Sequence, residues 1–495
     1  MKYYSTRDKA LRITAAEAVK MGLSRDGGLL TPERIPQIDT AFLERMVPLR
    51  YQDRAAAVMG LYLEDYAQEE LAAFAENAYG PDKYDTAAVA PVRTVDANTH
   101  CLELWHGPTS AFKDMALQML PQLLSAALGK TGEQRTVCIL VATSGDTGKA
   151  AMEGFADVPQ TKILVFYPKD GVSAIQEAQM VTQEGSNVGV CSVVGNFDDA
   201  QAGVKRIFSD ADLRAELDRR SYFLSSANSI NWGRILPQVV YYISAYCDLV
   251  RDGRVNMGDK LSFCVPTGNF GDILAAYYAK RMGLPVRRLI CASNCNDVLT
   301  DFLRTGIYDR NRPFHNTMSP SMDILISSNL ERLLFDLSGE NDEEVRRYMT
   351  QLNQCGRYQV SDAILTQVKE LFWAGSCKEA ETTATIAAYY QDKGYLIDPH
   401  TAVAAQVMEQ YRAETGDGAP VVFVSTASPY KFCDSVLTAI GEVPVEDSLE
   451  RIGQMQAVTG VPAPRRLAAL KGKARRFDQW TEKQKMENVV QDFLK

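Results

Sequence analysis

An open, mostly parallel α/β sheet arrangement flanked by helices is the fold class that the sequence predicts for most of this 495-residue chain. Three observations predict it. From about residue 97 onward, short β-rich runs alternate with helical patterns, the mark of parallel βαβ units. The runs are continuously apolar rather than alternating, as strands covered on both faces are. The composition, 46 % hydrophobic and 23 % charged, is that of a protein able to bury a sizeable core, over roughly three domains' worth of chain at about 150 residues each.

Taken in order, the first 90 residues read mainly as helices punctuated by turns such as SRDGGLLTPERIP at 24–36. The strand-then-helix pairs follow: TVCILVAT then GDTGKAAMEGF, TKILVFYP then SAIQEAQMVTQEG, KLSFCVPTG then DILAAYYAKRMG. RRLICAS and, late in the chain, PVVFVSTAS read as further strands. The expected division is therefore an N-terminal domain over 1–90, an α/β region over 91–440 built as two subdomains, and a C-terminal helical segment over 441–495. In that last segment Arg465 to Arg476 holds six basic residues in twelve, expected as the solvated face of a helix.

Lys and Arg total 53 against 62 Asp and Glu, a net charge of −9 with a pI near 5.3, which argues against nucleic acid as a partner. MKYYSTRDKALRI, at the start, carries charges where an export signal would be apolar. The longest apolar runs, around 137–142 and 421–424, are of core-strand length and too short to span a bilayer. Ten cysteines lie scattered without a framework; Cys291 and Cys295 are the closest pair, and four histidines suggest no zinc-ligand set. Reduced, buried thiols in a cytoplasmic protein are the economical expectation, with no membrane partner. One chain leaves monomer and homodimer both open.

Ligands of such sheets sit beyond the carboxyl ends of the strands, so the strand-to-helix turns carry the argument. In PTGNFGDILAAYYAK (266–280), Gly268, Asn269, Phe270 and Gly271 form a tight turn before a helix opening at Asp272. Backbone N–H groups there suit a phosphate; a simple tight turn is the alternative, and the G-x-G-x-x-G spacing is absent. VATSGDTGKAAMEGF (141–155) fails as a P-loop, because Thr143 stands where glycine is needed and Ala150 where Ser or Thr is needed. Its turn suits a small anion such as a carboxylate, or else Ser144 or Asp146 merely caps the helix.

In LELWHGPTSAFKDMALQMLPQLL (102–124), Thr109 or Ser110 is placed to cap a helix whose first turn carries Lys113. The helix dipole disfavours a cation there, and a neutral lysine amine is a Schiff-base nucleophile; a lysine with its head in solvent is the alternative. VVFVSTASPYKF (421–432) ends a buried strand in Ser425 and Thr426, a hydroxyl pair able to meet a heterocyclic nitrogen or simply to satisfy the turn.

The pieces HGPT-AFKD, TSGDTG, NSINWGRILPQ (228–238), PTGNFGDI and SPSMDILISSNLERLLF (319–335) occur in an order that resembles threonine synthases, pyridoxal-phosphate enzymes of fold type II, the tryptophan-synthase-β type. YYSTRD (3–8) and MGLSRDGGLLTPERIP (21–36) resemble that family's N-terminal domain. The resemblance implies that Lys113 holds the cofactor as a Schiff base and that Gly268 to Gly271, with Asp272, cradles its phosphate. It places Thr426 at the pyridine nitrogen and Ser144, Gly145, Asp146 and Thr147 at the substrate carboxylate. Asn231 and Arg234 are candidates for the substrate phosphate, with a helix cap and a surface arginine as the alternative; Thr109 and Lys169 are further candidates facing the substrate. The implied substrate is O-phospho-L-homoserine, converted with water to L-threonine and phosphate by β,γ-elimination and β-hydration. Another fold type II lyase and a catalytically idle relative are the competing readings. One departure stands out: the family usually reads T-A-H-P-x-K-F after the late strand, and Ser428 replaces the histidine here.

Overall fold

The computed structural model describes residues 1–495, the side chain of Asp198 excepted. Two parallel sheets form its centre. The larger has six strands in the order Phe372–Ser376, Val286–Ser293, Leu261–Pro266, Val421–Ser425, Thr99–Glu103 and Val92–Asp96, with only the last pair antiparallel. The smaller has five parallel strands, Trp480–Glu482, Val188–Val194, Thr161–Pro168, Thr136–Ala142 and Tyr222–Ser225. Central strands such as Leu261–Pro266 and Val421–Ser425 are buried at every residue, as their unbroken apolar runs require when helices cover both faces. This is the expected α/β class.

The helix Trp232–Arg251, buried along almost its whole length, packs on the helix Gly271–Met282 of the larger lobe and on the N-terminal helix Tyr51–Gly60. Asn231 caps it, its side-chain oxygen accepting the Gly233 N–H at 2.9 Å. Such a helix is apolar all round because structure surrounds it, not because one face meets water.

Two expectations are corrected and a third is extended. The N-terminal 90 residues are mainly helical, as expected, and carry in addition a three-stranded antiparallel sheet of Tyr3–Ser5, Asp8–Ile13 and Leu30–Pro32 beside their four helices. The C-terminal segment is not only helical, since Trp480–Glu482 completes the edge of the smaller sheet. The basic run 465–476 is not one helix face. A helical turn, Arg465–Ala468, passes into a 3-10 turn and then leaves helix altogether. The run straps the lobe through pairs such as Arg466 to Glu153 at 2.5 Å and Arg475 to Glu177 at 2.9 Å. All ten cysteines are unbonded and eight are buried; Cys295 is half-buried and Cys355 exposed. No helix among the described residues is long and apolar enough to cross a membrane.

Candidate active site

A cleft of about 1230 Å³ opens between the carboxyl ends of the two sheets. The six-stranded lobe contributes three turns to it and the five-stranded lobe one. Lys113 begins the helix Lys113–Leu117, whose approach is clipped to the late turn. The Phe112 N–H donates to the Thr426 carbonyl at 2.8 Å, and the Ser428 N–H to the Ser110 carbonyl at 3.1 Å. Two turns more than 300 residues apart in sequence thus hold Lys113 and Thr426 on one wall.

Lys113 is buried, its Nζ 3.8 Å from Asp146 Oδ2 and 3.5 Å from Ser321 Oγ. Burial lowers its pKa from 10.5 to about 8; Asp146 opposes that shift, while Lys431 and Arg234 add to it. Burial first, and two neighbouring cations after it, make this amine easier to deprotonate, in the sense its first-turn position suggested.

The second turn is built on close approach. A Cβ at Gly268 would lie 2.6 Å from the Ser321 carbonyl oxygen, so the turn and the facing segment tolerate no side chain there. Phe270 adopts the left-handed conformation, φ 63°, at the N-cap of the helix Gly271–Met282, a conformation that costs a non-glycine residue of the order of 1 kcal/mol or more. Asp272 follows, its Oδ1 accepting the hydroxyls of Tyr241 and Tyr242 at 2.5 and 2.6 Å while Oδ2 has no partner. Burial raises its pKa to about 6, against the two tyrosine hydroxyls.

In the third turn, Thr143 Oγ1 accepts the N–H groups of Gly145 and Gly148, both at 2.9 Å. Gly145, φ 126°, lies against Gln176, whose carboxamide would clash with any Cβ. The helix Asp146–Phe155 thus starts without a cap from Ser144 or Asp146. Ser144 and Thr147 line the cleft, whereas Gly145 and Asp146 lie beneath its surface. Asp146 faces inward to Lys431, Nζ to Oδ1 2.6 Å. Burial works against its ionisation, yet Lys431 and Lys113 outweigh burial and hold it well below the carboxylate range.

Arg234 is buried and lines the cleft, with Nη1 donating to the Ala227 carbonyl at 2.7 Å and Nε without a partner. Burial lowers its pKa to about 10. The surface-arginine alternative does not hold.

Besides Gly145 and Asp146, three predicted residues are not brought to the cleft surface. Asn231 spends its side chain on the cap and on the carbonyls of Val19 and Ser226, at 3.0 and 3.3 Å, so the cap reading holds for it. Thr109 is buried and caps nothing; its N–H and hydroxyl donate to Asp114 at 2.8 and 2.7 Å, inside the molecule. Lys169 is exposed, its ammonium 5.3 Å from the Trp480 ring: the edge strand that the sequence did not reveal draws it outward.

Other residues of the site went unread in the sequence. His400 lines the cleft, as do Ser321 and Arg7. Arg7 Nε and Nη2 grip Glu331 at 2.8 and 2.7 Å, and the Thr6 hydroxyl donates to the same carboxylate at 2.6 Å. The YYSTRD and SNLER segments, each legible as a motif, therefore meet in one pair. Ser428 is buried and caps the 3-10 turn Pro429–Phe432, its Oγ accepting the Tyr430 N–H at 3.3 Å. The imidazole in this region belongs instead to His400, 5.0 Å from the Phe432 ring.

The residues fit pyridoxal phosphate: a buried amine of lowered pKa, a glycine turn that excludes side chains at the start of a helix, and Thr426 on the same wall. Fold and site agree with one class of protein, the family whose model is described as "Pyridoxal-phosphate dependent enzyme" and matches residues 94–427. Models for the threonine synthase N terminus and C-terminal region match residues 2–79 and 401–493. The threonine synthase of Pseudomonas aeruginosa is 40 % identical, the match covering 90 % of this chain and 92 % of that one. Human threonine synthase-like 1 is 41 % identical over 86 % of this chain but only 58 % of its own length. The crystal structure of pyridoxal-phosphate-bound threonine synthase from Brucella melitensis superposes with a TM-score of 0.87 at 38 % identity, covering all of both chains. The chain belongs to the threonine synthase family, of fold type II.

Proposed function

We propose that this protein converts O-phospho-L-homoserine and water to L-threonine and inorganic phosphate, in the cytoplasm. The observation that carries the reading is Arg234, a buried guanidinium with an unpartnered Nε, in the same cleft as Lys113. A cation buried at such cost needs an anionic partner, and a phosphate ester is matched to its fork of donors. The wider cleft agrees: nine Lys and Arg line it against four Asp and Glu, in a chain whose net charge is −9. Such a surplus favours entry of an anionic substrate.

When bound, the cofactor supplies an electron sink for charge developing at the substrate Cα. Lys113 is the residue we assign to hold it and, once free, to move the protons at Cα and Cβ. The backbone N–H groups of Gly268 to Gly271, with Asp272 next to them, would hold the cofactor phosphate, and the Thr426 hydroxyl would meet the ring nitrogen. Ser144 and Thr147 orient the substrate carboxylate, and Arg234 stabilises the departing phosphate. Asp146 works from below by keeping charge on the Lys431 side of the site. Ten unbonded cysteines agree with a reducing compartment.

The test is to load the purified protein with pyridoxal phosphate, add O-phospho-L-homoserine and quantify both products, with Lys113→Ala as control. Equal phosphate and threonine, lost in the variant, is the expected result. Phosphate without threonine would instead mean elimination to a keto acid, the chemistry of a dehydratase-like lyase.

A further inference from the structure

Asp398 has no exposure to solvent, and His400 almost none. Asp398 caps the helix Pro399–Thr415 by accepting the N–H groups of His400 and Thr401, both at 3.0 Å, together with the Thr401 hydroxyl. The same carboxylate lies 2.6 Å from His400 Nδ1. A ring nitrogen so close to a carboxylate oxygen carries the hydrogen, which leaves Nε2 as an acceptor. Nε2 takes the N–H of Ser321 at 3.2 Å.

Ser321 sits in the 3-10 turn Pro320–Met322 and, with Met322, lines the same cleft as Lys113. Its Oγ is 3.5 Å from Lys113 Nζ and 3.3 Å from Asp146 Oδ2. Its carbonyl oxygen would lie 2.6 Å from a Cβ at Gly268. One main-chain residue therefore touches the amine, the carboxylate beneath it and the glycine turn, and the imidazole holds that residue's N–H.

We infer that Asp398 and His400 form a positioning relay for the cofactor pocket: the carboxylate sets the Nδ1–H tautomer, the imidazole anchors Ser321, and the anchored turn sets Lys113 and the Gly268 turn relative to each other. His400 is a positioning residue in this scheme, acting through Ser321. The inference rests on the reading of Lys113 and Gly268 to Gly271 as the cofactor's seat.

Three variants test it on the apoprotein. His400→Leu removes the acceptor, and His400→Gln restores one through its side-chain oxygen. Asp398→Asn retains an oxygen for the helix cap but offers an N–H to Nδ1, which drives the ring hydrogen to Nε2, where it opposes the Ser321 N–H. Capture of pyridoxal phosphate, followed by the absorbance of the bound cofactor, should weaken or slow by about tenfold or more in His400→Leu and Asp398→Asn, as loss of an orienting partner does elsewhere. His400→Gln should recover most of it, and in turnover kcat should fall more than KM rises.

Parental capture in the Leu and Asn variants would overturn the relay. So would equal losses in the Leu and Gln variants, which would make the ring's own proton chemistry the requirement. Should a variant fail to fold, the ¹⁵N spectrum of the parent's histidines decides: His400 must show Nδ1–H, and Nε2–H would end the proposal. Failure of the underlying cofactor reading would look different, since the parent itself would then not capture the cofactor.

Discussion

Lys431 Nζ stands 2.6 Å from Asp146 Oδ1, both side chains buried, while Asp146 Oδ2 lies 3.8 Å from the Lys113 amine. One carboxylate thus serves two lysines, of which Lys431 also donates to the Thr109 carbonyl at 3.1 Å. Lys431 is the larger of the two cationic influences that keep Asp146 ionised, with Lys113 second, and burial is what lowers the Lys113 pKa against the pull of that carboxylate.

Breaking this pair from one side leaves a charge buried alone. Lys431→Met is expected to cost about 3–5 kcal/mol of apoprotein stability, read by denaturant unfolding. The double variant Asp146→Asn/Lys431→Met should recover most of that loss. Additive losses, with a coupling below about 0.5 kcal/mol, would mean that the contact is not energetically linked.

The lowered pKa of Lys113 sets a pH dependence. Its neutral form grows in as pH rises through about 8 instead of through 10.5, so the rate of cofactor capture by the apoprotein should level off above about 8. A rate still climbing steeply at pH 10 would contradict the assignment.

Asp272 works in the opposite sense. Its folded pKa of about 6 exceeds the usual carboxyl value of 3.8, so folding binds its proton more tightly than the unfolded chain does. The resulting stability is fully present below about 3.8 and is lost as pH rises through about 6. Asp272→Asn carries no such charge and still accepts from Tyr241 and Tyr242. Its apoprotein should gain stability over the parent at pH 8, and the gain should vanish below pH 4. A gain independent of pH would exclude burial of the charge as its cause.

Arg234→Met should lower kcat/KM for O-phospho-L-homoserine by about 100-fold or more, the scale of removing one donor from a developing anion. Arg234→Lys should restore only part, because an ammonium lacks the planar fork. Inhibition by inorganic phosphate should weaken in step. Unchanged inhibition together with unchanged kcat/KM would remove Arg234 from the site.

Lys169→Ala, by contrast, should leave kcat/KM near the parental value, since that ammonium lies on Trp480 outside the cleft. Asn231→Ala should show its effect as lost stability, about 1 kcal/mol for the cap, with kinetics little changed. A large kinetic loss with full stability in either variant would restore that residue to substrate binding.

Strand runs such as VCILVA and VVFV, and the glycine and hydroxyl turns that follow strands, are local signals, and they were legible. A strand buried on both faces has to be apolar throughout, and a turn that meets a ligand through its backbone has to carry small residues. Lys113, Gly268 to Gly271, Ser144, Thr147, Arg234 and Thr426 all reach one cleft, as the motif order implied. The N-terminal sheet was not legible because strands of three residues, such as Tyr3–Ser5, are too short to show a period. Trp480–Glu482 was not legible because its pairing partner, Val188–Val194, lies almost 290 residues earlier.

By itself the sequence determined the α/β class and the strand-to-helix turns, because each is written in a few neighbouring residues; it singled out Lys113 only through the order of motifs along the whole chain. Only the tertiary structure decided where side chains point. Thr109 turns inward to Asp114, Asp146 turns to Lys431, and Asn231 turns back to cap its own helix. His400 meets the N–H of Ser321 across 79 residues of chain. Spacing along a chain places a residue on an element, but register and packing between distant elements choose the partner its side chain meets.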